Sequence, residues 1–114
     1  MPVIHLIERL NKLKLIDLDQ HEWESGYWKV SEKTAQCLVG GDLYVHGGQL
    51  EPSHFGGTIL GYRVQKGGAL DGRTIFRFRA SMEHKGVKTN RKGWGNAKKV
   101  LGCDLEVASK RAAA

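Results

Sequence analysis

Residues 73–81 place arginine at alternate positions, with only Ile75 interrupting the series. A period of two predicts a β-strand that buries one face and exposes the other. Residues 58–65 alternate in the same way, and the glycine-bearing stretch 66–72 between the two segments predicts a β-hairpin. The predicted core faces of this hairpin carry Leu60, Tyr62, Val64, Phe76 and Phe78.

The remaining chain predicts two helices and further strands. Val3, Leu6, Ile7, Leu10 and Leu13 recur with helical spacing, which predicts an amphipathic helix over residues 2–14. Ser31 predicts the N-cap of a short helix over 32–39 that stops at a glycine pair, and alternation at 42–46 and 100–107 predicts two more strands. We therefore expect an α+β fold. An N-terminal amphipathic helix and a short second helix would pack on a strongly bent antiparallel sheet of four or five strands, or on a small partly open barrel.

Length and composition indicate one domain. The chain has 114 residues, of which 40% are hydrophobic, so we expect a single globular domain over 1–109 and a disordered tail over 110–114. Cys37 and Cys103 match no metal or redox spacing, which predicts reduced thiols. The sequence shows no membrane span and no signal peptide, so we expect a cytoplasmic protein without contact to a membrane.

Charge is distributed unevenly along the chain. The net charge is +6, yet residues 1–57 hold 5 Lys/Arg and 8 Asp/Glu, whereas residues 58–114 hold 13 Lys/Arg and 4 Asp/Glu. The halves thus carry −3 and +9. This asymmetry predicts a surface in the second half that faces a polyanion.

Two groups of residues could bind that polyanion. Arg63, Arg77 and Arg79 would project from one face of the predicted hairpin, either as a platform for phosphates or as a solvated outer face. The segment 85–99 adds cations beside a tryptophan flanked by glycines, which would stack on a base or fold back into the core. The predicted contacts in this segment are Lys88, Arg91, Lys92, Trp94, Lys98 and Lys99.

Other constellations carry weaker signals. Asp42, His46, Glu51 and His54 could perform acid–base chemistry if they converged, although the pattern is more typical of polar turn residues. His5, His21 and His84 lie in unrelated contexts, and no role is predicted for them. The aromatic residues Trp23, Tyr27 and Trp28 form either a core cluster or the wall of a pocket.

The leading hypothesis is a non-catalytic protein that binds nucleic acid through phosphate contacts and one stacking tryptophan. An alternative is a protein-binding adaptor or a homo-oligomeric protein of mobile-element type, such as a phage or gene-cassette product. A third is a small hydrolase or nuclease that uses Asp42, His46, Glu51 and His54. We expect no cofactor and no metal. In general plan, a small glycine-rich curved sheet with a basic face resembles PUA-like and OB-like nucleic-acid modules, with no motif of either matched residue by residue.

Overall fold

The computed structural model describes residues 2–8, 12–90, 92, 94–95 and 97–103. These residues form one mixed sheet of seven strands, one α-helix and one 3₁₀ helix. The strands are β1 (Val3–Ile7), β2 (Lys14–Asp17), β3 (Glu22–Glu24), β4 (Asp42–His46), β5 (Ser53–Val64), β6 (Thr74–Ala80) and β7 (Lys98–Leu101). The helix α1 spans Glu32–Leu38, and the 3₁₀ helix spans Met82–His84.

The sheet has the order β2-β3-β6-β5-β4-β1-β7. β1 pairs with β4 in parallel, and every other pair is antiparallel. The expected fold of two helices on an antiparallel sheet of four or five strands is therefore wrong, both in strand number and in direction. β7 corresponds to the start of the strand predicted at 100–107, and residues 104–107 lie outside the described part, as does the predicted tail at 110–114.

The predicted N-terminal helix over 2–14 is replaced by strands. Its first half forms β1, which lies between β4 and β7 with Ile4 and Leu6 fully buried. The run Val3–Ile7 is apolar and rich in β-branched residues, and so short a run satisfies a helical and an extended pattern equally. Pairing on both sides of β1 gives hydrogen-bond partners to its backbone amides and carbonyls, and this stabilises the strand rather than a helix. Lys14, the last residue of the predicted helix, begins β2 at the sheet edge.

The short helix was predicted correctly. Ser31 is its N-cap, and its Oγ accepts a hydrogen bond from the Thr34 amide at 3.2 Å. Gly40 follows the helix with φ of 87°, a backbone conformation that favours glycine. Ala35 and Leu38 of α1 are fully buried and pack in the cluster formed by one face of the sheet. That cluster is the hydrophobic core.

The β5–β6 hairpin was also predicted, but its register contains a bulge. Ile59 pairs with Phe78 and Gly61 pairs with Arg77, so Leu60 has no partner in the register. As a result Ile59 is buried in the core at 1% exposure, whereas Leu60, predicted to face the core, is 37% exposed. A strict period of two cannot anticipate an inserted residue.

Cys37 and Cys103 form a disulfide, so the prediction of reduced thiols is wrong. The bond joins α1 to the residues that follow β7, across a sequence separation of 66. None of the described helices is long and apolar enough to span a membrane.

The segment that follows β3 reaches the opposite edge of the sheet. Trp28, four residues after β3, forms an isolated bridge with Thr74. Lys98 at the far edge donates from Nζ to the Lys29 carbonyl oxygen at 2.5 Å. The segment after β3 therefore lies against β7, although the two strands are five positions apart in the sheet.

Reduction of the disulfide is expected to lower the free energy of unfolding by about 2–4 kcal/mol, because the bond restricts a long loop in the unfolded chain. The measurement is denaturant unfolding with and without reductant. Cys103→Ser is the matched control, since its stability should not respond to reductant. Identical unfolding curves for the wild type in both conditions would contradict the bond.

Candidate functional site

The three predicted arginines share one face of the sheet, but acidic residues of β3 lie beside them. Strand pairing sets Glu24 opposite Arg77 and Glu22 opposite Arg79. The Arg63 guanidinium donates to both Glu24 oxygens, at 2.9 and 3.0 Å. Arg77 and Arg79 both pair with Glu22, at 2.5 and 3.6 Å. Each guanidinium therefore already has a carboxylate partner.

These ion pairs change the charge that the arginine face presents. The hydrogen bonds from Arg63 hold the pKa of Glu24 below its usual value, and they raise the pKa of Arg63. Both groups are thus charged near neutral pH. A phosphate at this face would have to compete with Glu22 and Glu24 for the same donors.

A second polar cluster lies on the same face, at the β1–β4 side of the sheet. His5 Nδ1 lies 2.8 Å from His46 Nε2, and His46 Nδ1 lies 2.8 Å from the Glu51 carbonyl oxygen. A carbonyl only accepts, so His46 Nδ1 carries the proton and its Nε2 accepts from His5. Both imidazoles are neutral in this arrangement.

Tyr44 lies between two imidazoles in this cluster. Its ring stacks on His5 with centroids 5.0 Å apart, and His84 lies on its other side at 5.0 Å. His84 Nε2 lies 2.8 Å from Asp42 Oδ1. We call the rings of His5, Tyr44 and His84 the imidazole row. Gly56 leaves space for it, because a Cβ there would collide with the Leu43 carbonyl oxygen and press against the Cβ of His84. His5 and His84, for which the sequence predicted no role, thus belong to one buried arrangement.

Trp94 and Lys99 pack against this cluster rather than extend into solvent. The Trp94 ring lies 5.7 Å from His46 and 6.2 Å from His5, centroid to centroid, and the residue is partly buried. Lys99 is 3% exposed, and its Nζ donates to Thr89 Oγ1 and to both oxygens of Asn90. Among the other predicted contacts, Lys88 and Lys92 are exposed, and Arg91 lies outside the described residues.

The four residues considered for acid–base chemistry have different partners. Asp42 pairs with His84, whereas His46 pairs with His5. Glu51 contributes its backbone carbonyl to His46, and His54 is exposed. No cluster of three or more metal-ligating side chains occurs in the part of the chain that the structure describes.

Three cations converge on a groove beside β7: Lys98, which the sequence predicted as a contact, and Lys29 and Arg73, which it did not. A hollow of about 310 Å³ is lined by Trp28, Lys29, Arg73, Gly95, Ala97 and Lys98. The cations come from three separate parts of the chain. No local sequence signal distinguishes Lys29 and Arg73, since Glu32 and Asp71 lie within three residues of them.

Two further hollows extend this one into a row, which we call the cationic groove. Trp28 and Ala97 also line a hollow of about 300 Å³ that includes Lys12 and Tyr27. Lys29 and Lys98 also line a hollow of about 440 Å³ beside Cys103. The shared lining residues place the three hollows next to one another.

Comparison of the chain with models of protein families, with curated proteins and with solved structures finds no match.

Acidification is expected to destabilise the fold through the buried imidazoles. Burial, together with electrostatic repulsion from protonated His46 (at low pH) and from Lys99, lowers the pKa of His5 to about 4, and burial lowers the pKa of His46. Below a pH of about 6.5 these imidazoles are therefore protonated in the unfolded chain but not in the folded chain. The free energy of unfolding decreases as the pH falls from that value towards the pKa of the folded state. Between pH 7 and about pH 5, the titration of His5 alone should lower the free energy of unfolding by about 2 kcal/mol.

The measurement is denaturant unfolding of the wild type and of His5→Gln at both pH values. His5→Gln should flatten the pH dependence, whatever its effect on stability at neutral pH. His21→Asn is the control, because His21 is exposed and its φ of 54° suits asparagine. Equal slopes for His5→Gln and the wild type would show that His5 is not the titrating group.

Proposed function

We propose that this protein binds single-stranded nucleic acid in the cationic groove. The observation that carries the proposal is the convergence of Lys29, Arg73 and Lys98 on one groove, where no described residue is their acidic partner. Among the described residues, ion pairs involve Arg63, Arg77, Arg79 and His84, and no carboxylate lies within 4.0 Å of the three groove cations. Unpaired cations attract phosphates without first giving up a carboxylate partner.

The residues that line the groove favour a single strand over a duplex. An unpaired strand alternates charged phosphates with flat bases, and single-strand binders meet it with cations beside aromatic rings. Here Lys12, Lys29, Arg73 and Lys98 border hollows that also contain Tyr27 and Trp28. Glu8 is the one carboxylate among the described lining residues, and it lies in the hollow at one end of the row.

The proposal assigns roles that differ from the first expectation. Trp28 and Tyr27, rather than Trp94, border the groove and would stack on bases. Trp94 would act indirectly, since its packing on His5 and His46 holds the neighbouring Gly95 at the groove wall. The exposed Lys88 and Lys92 would add long-range attraction, in keeping with the charge of +9 in residues 58–114.

The test is fluorescence anisotropy with labelled single-stranded and duplex DNA and RNA at several salt concentrations. We expect binding that weakens with salt and is stronger for single strands. Arg73→Gln should reduce the affinity and lower the slope of log K against log salt by about 0.7, the value for one lost phosphate contact to a single strand. Lys29→Gln should act in the same direction.

Arg63→Gln is the matched control, because it removes the same charge from a guanidinium that Glu24 already holds. It should leave the salt slope nearly unchanged. Equal losses for Arg63→Gln and Arg73→Gln would mean that net charge, and not the groove, governs binding. Absence of binding at low salt would refute the proposed function.

A further inference from the structure

β2 is an edge strand with an unusual exposed apolar surface. It pairs with β3 on one side, and no described strand pairs with its other side. Leu15 is 42% exposed, Ile16 is 37% exposed, and Leu18 just beyond the strand is 68% exposed. An unpaired edge with apolar side chains is a ready template for another strand.

A bulge gives this strand an uncommon symmetry. Lys14 pairs with Glu24 and Asp17 pairs with Glu22, while Leu15 and Ile16 together face Trp23. Glu22 and Glu24 are alternate residues of β3 and share a face, so Lys14 and Asp17 share that face as well. In a regular strand, residues three apart would lie on opposite faces. With the bulge, Lys14 and Asp17 lie on one face of the sheet, and Leu15 and Ile16 lie on the other. The order of the two faces along Lys14–Asp17 is therefore the same when the strand is read from either end.

That symmetry matches the sequence of the strand. When two identical strands pair antiparallel about a two-fold axis, residues that oppose each other must lie on the same face. Centring the axis between Leu15 and Ile16 sets each Lys14 opposite Asp17 of the second copy, and each Leu15 opposite Ile16. Without the bulge, Lys14 and Asp17 would lie on opposite faces, and two copies of β2 could not pair in this register. Shifting the register by one residue loses both opposite-charge pairs.

We propose that the protein forms a two-fold symmetric homodimer through β2, with two Lys14–Asp17 pairs flanking a Leu15–Ile16 centre. The sheets of the two copies would join into one continuous sheet. The second copy is the occupant that this edge fits, because the same four residues supply both complementary charges and both apolar partners. Four residues a side form a small contact, which corresponds to a weak dimer that depends on concentration.

The test is molar mass by light scattering and sedimentation over a range that reaches about 1 mM, well above the expected micromolar dissociation constant. The wild type should change from monomer to dimer across this range. Lys14→Asp and Asp17→Lys should each weaken self-association about tenfold or more, because like charges then oppose each other twice. An equimolar mixture of the two variants should recover dimers, since every opposed pair is complementary again.

Lys33→Asp is the matched control, as it makes the same charge change on the exposed side of α1 and should leave the dimer intact. Circular dichroism checks that each variant is folded. A second measurement needs no variant: amide hydrogen exchange in residues 14–17 of the wild type should slow as concentration rises. A wild type that stays monomeric, single variants that dimerise normally, or a mixture that fails to recover dimers would each overturn the proposal.

Discussion

The rest of the structure depends on the pairing of β1 on both of its edges. β1 is parallel to β4 on one side and antiparallel to β7 on the other, and it is the only described partner of β7. It contributes Ile4 and Leu6 to the core and His5 to the polar face. Without β1, neither the imidazole row nor the position of Lys98 in the groove would exist. A five-residue strand thus organises both faces of the sheet.

The described cations differ in whether the fold already gives them a partner. The arginines of the β5–β6 face are held by Glu22 and Glu24, and Lys99 is buried among hydrogen-bond acceptors. Lys29, Arg73 and Lys98 border the groove, and no carboxylate of the described residues contacts them. Net charge alone therefore overstates the surface that a polyanion could use. What matters is which cations the fold leaves without an acidic neighbour.

Local patterns explain why part of the fold was predictable. The β5–β6 hairpin and α1 are specified by alternation, turn glycines and an N-cap, all within about twenty residues. β1 was missed because an apolar run of five residues does not distinguish a helix from a strand until its partners are known. The Cys37–Cys103 bond, the pairing of Glu24 with Arg63 and the groove all join residues that are distant in sequence. Periodicity carries no information about such contacts.

The first and last described strands are neighbours, and this has a kinetic consequence. Val3 pairs with Leu101, so β7 joins the sheet only when the two ends of the described chain meet. Pairing across such a separation must overcome the entropy of closing a loop of nearly the whole domain, and contacts of this kind slow folding. Of the described strands β1 is synthesised first, and its partners β4 and then β7 follow. For most of synthesis, one of its edges would therefore be open to the wrong partners.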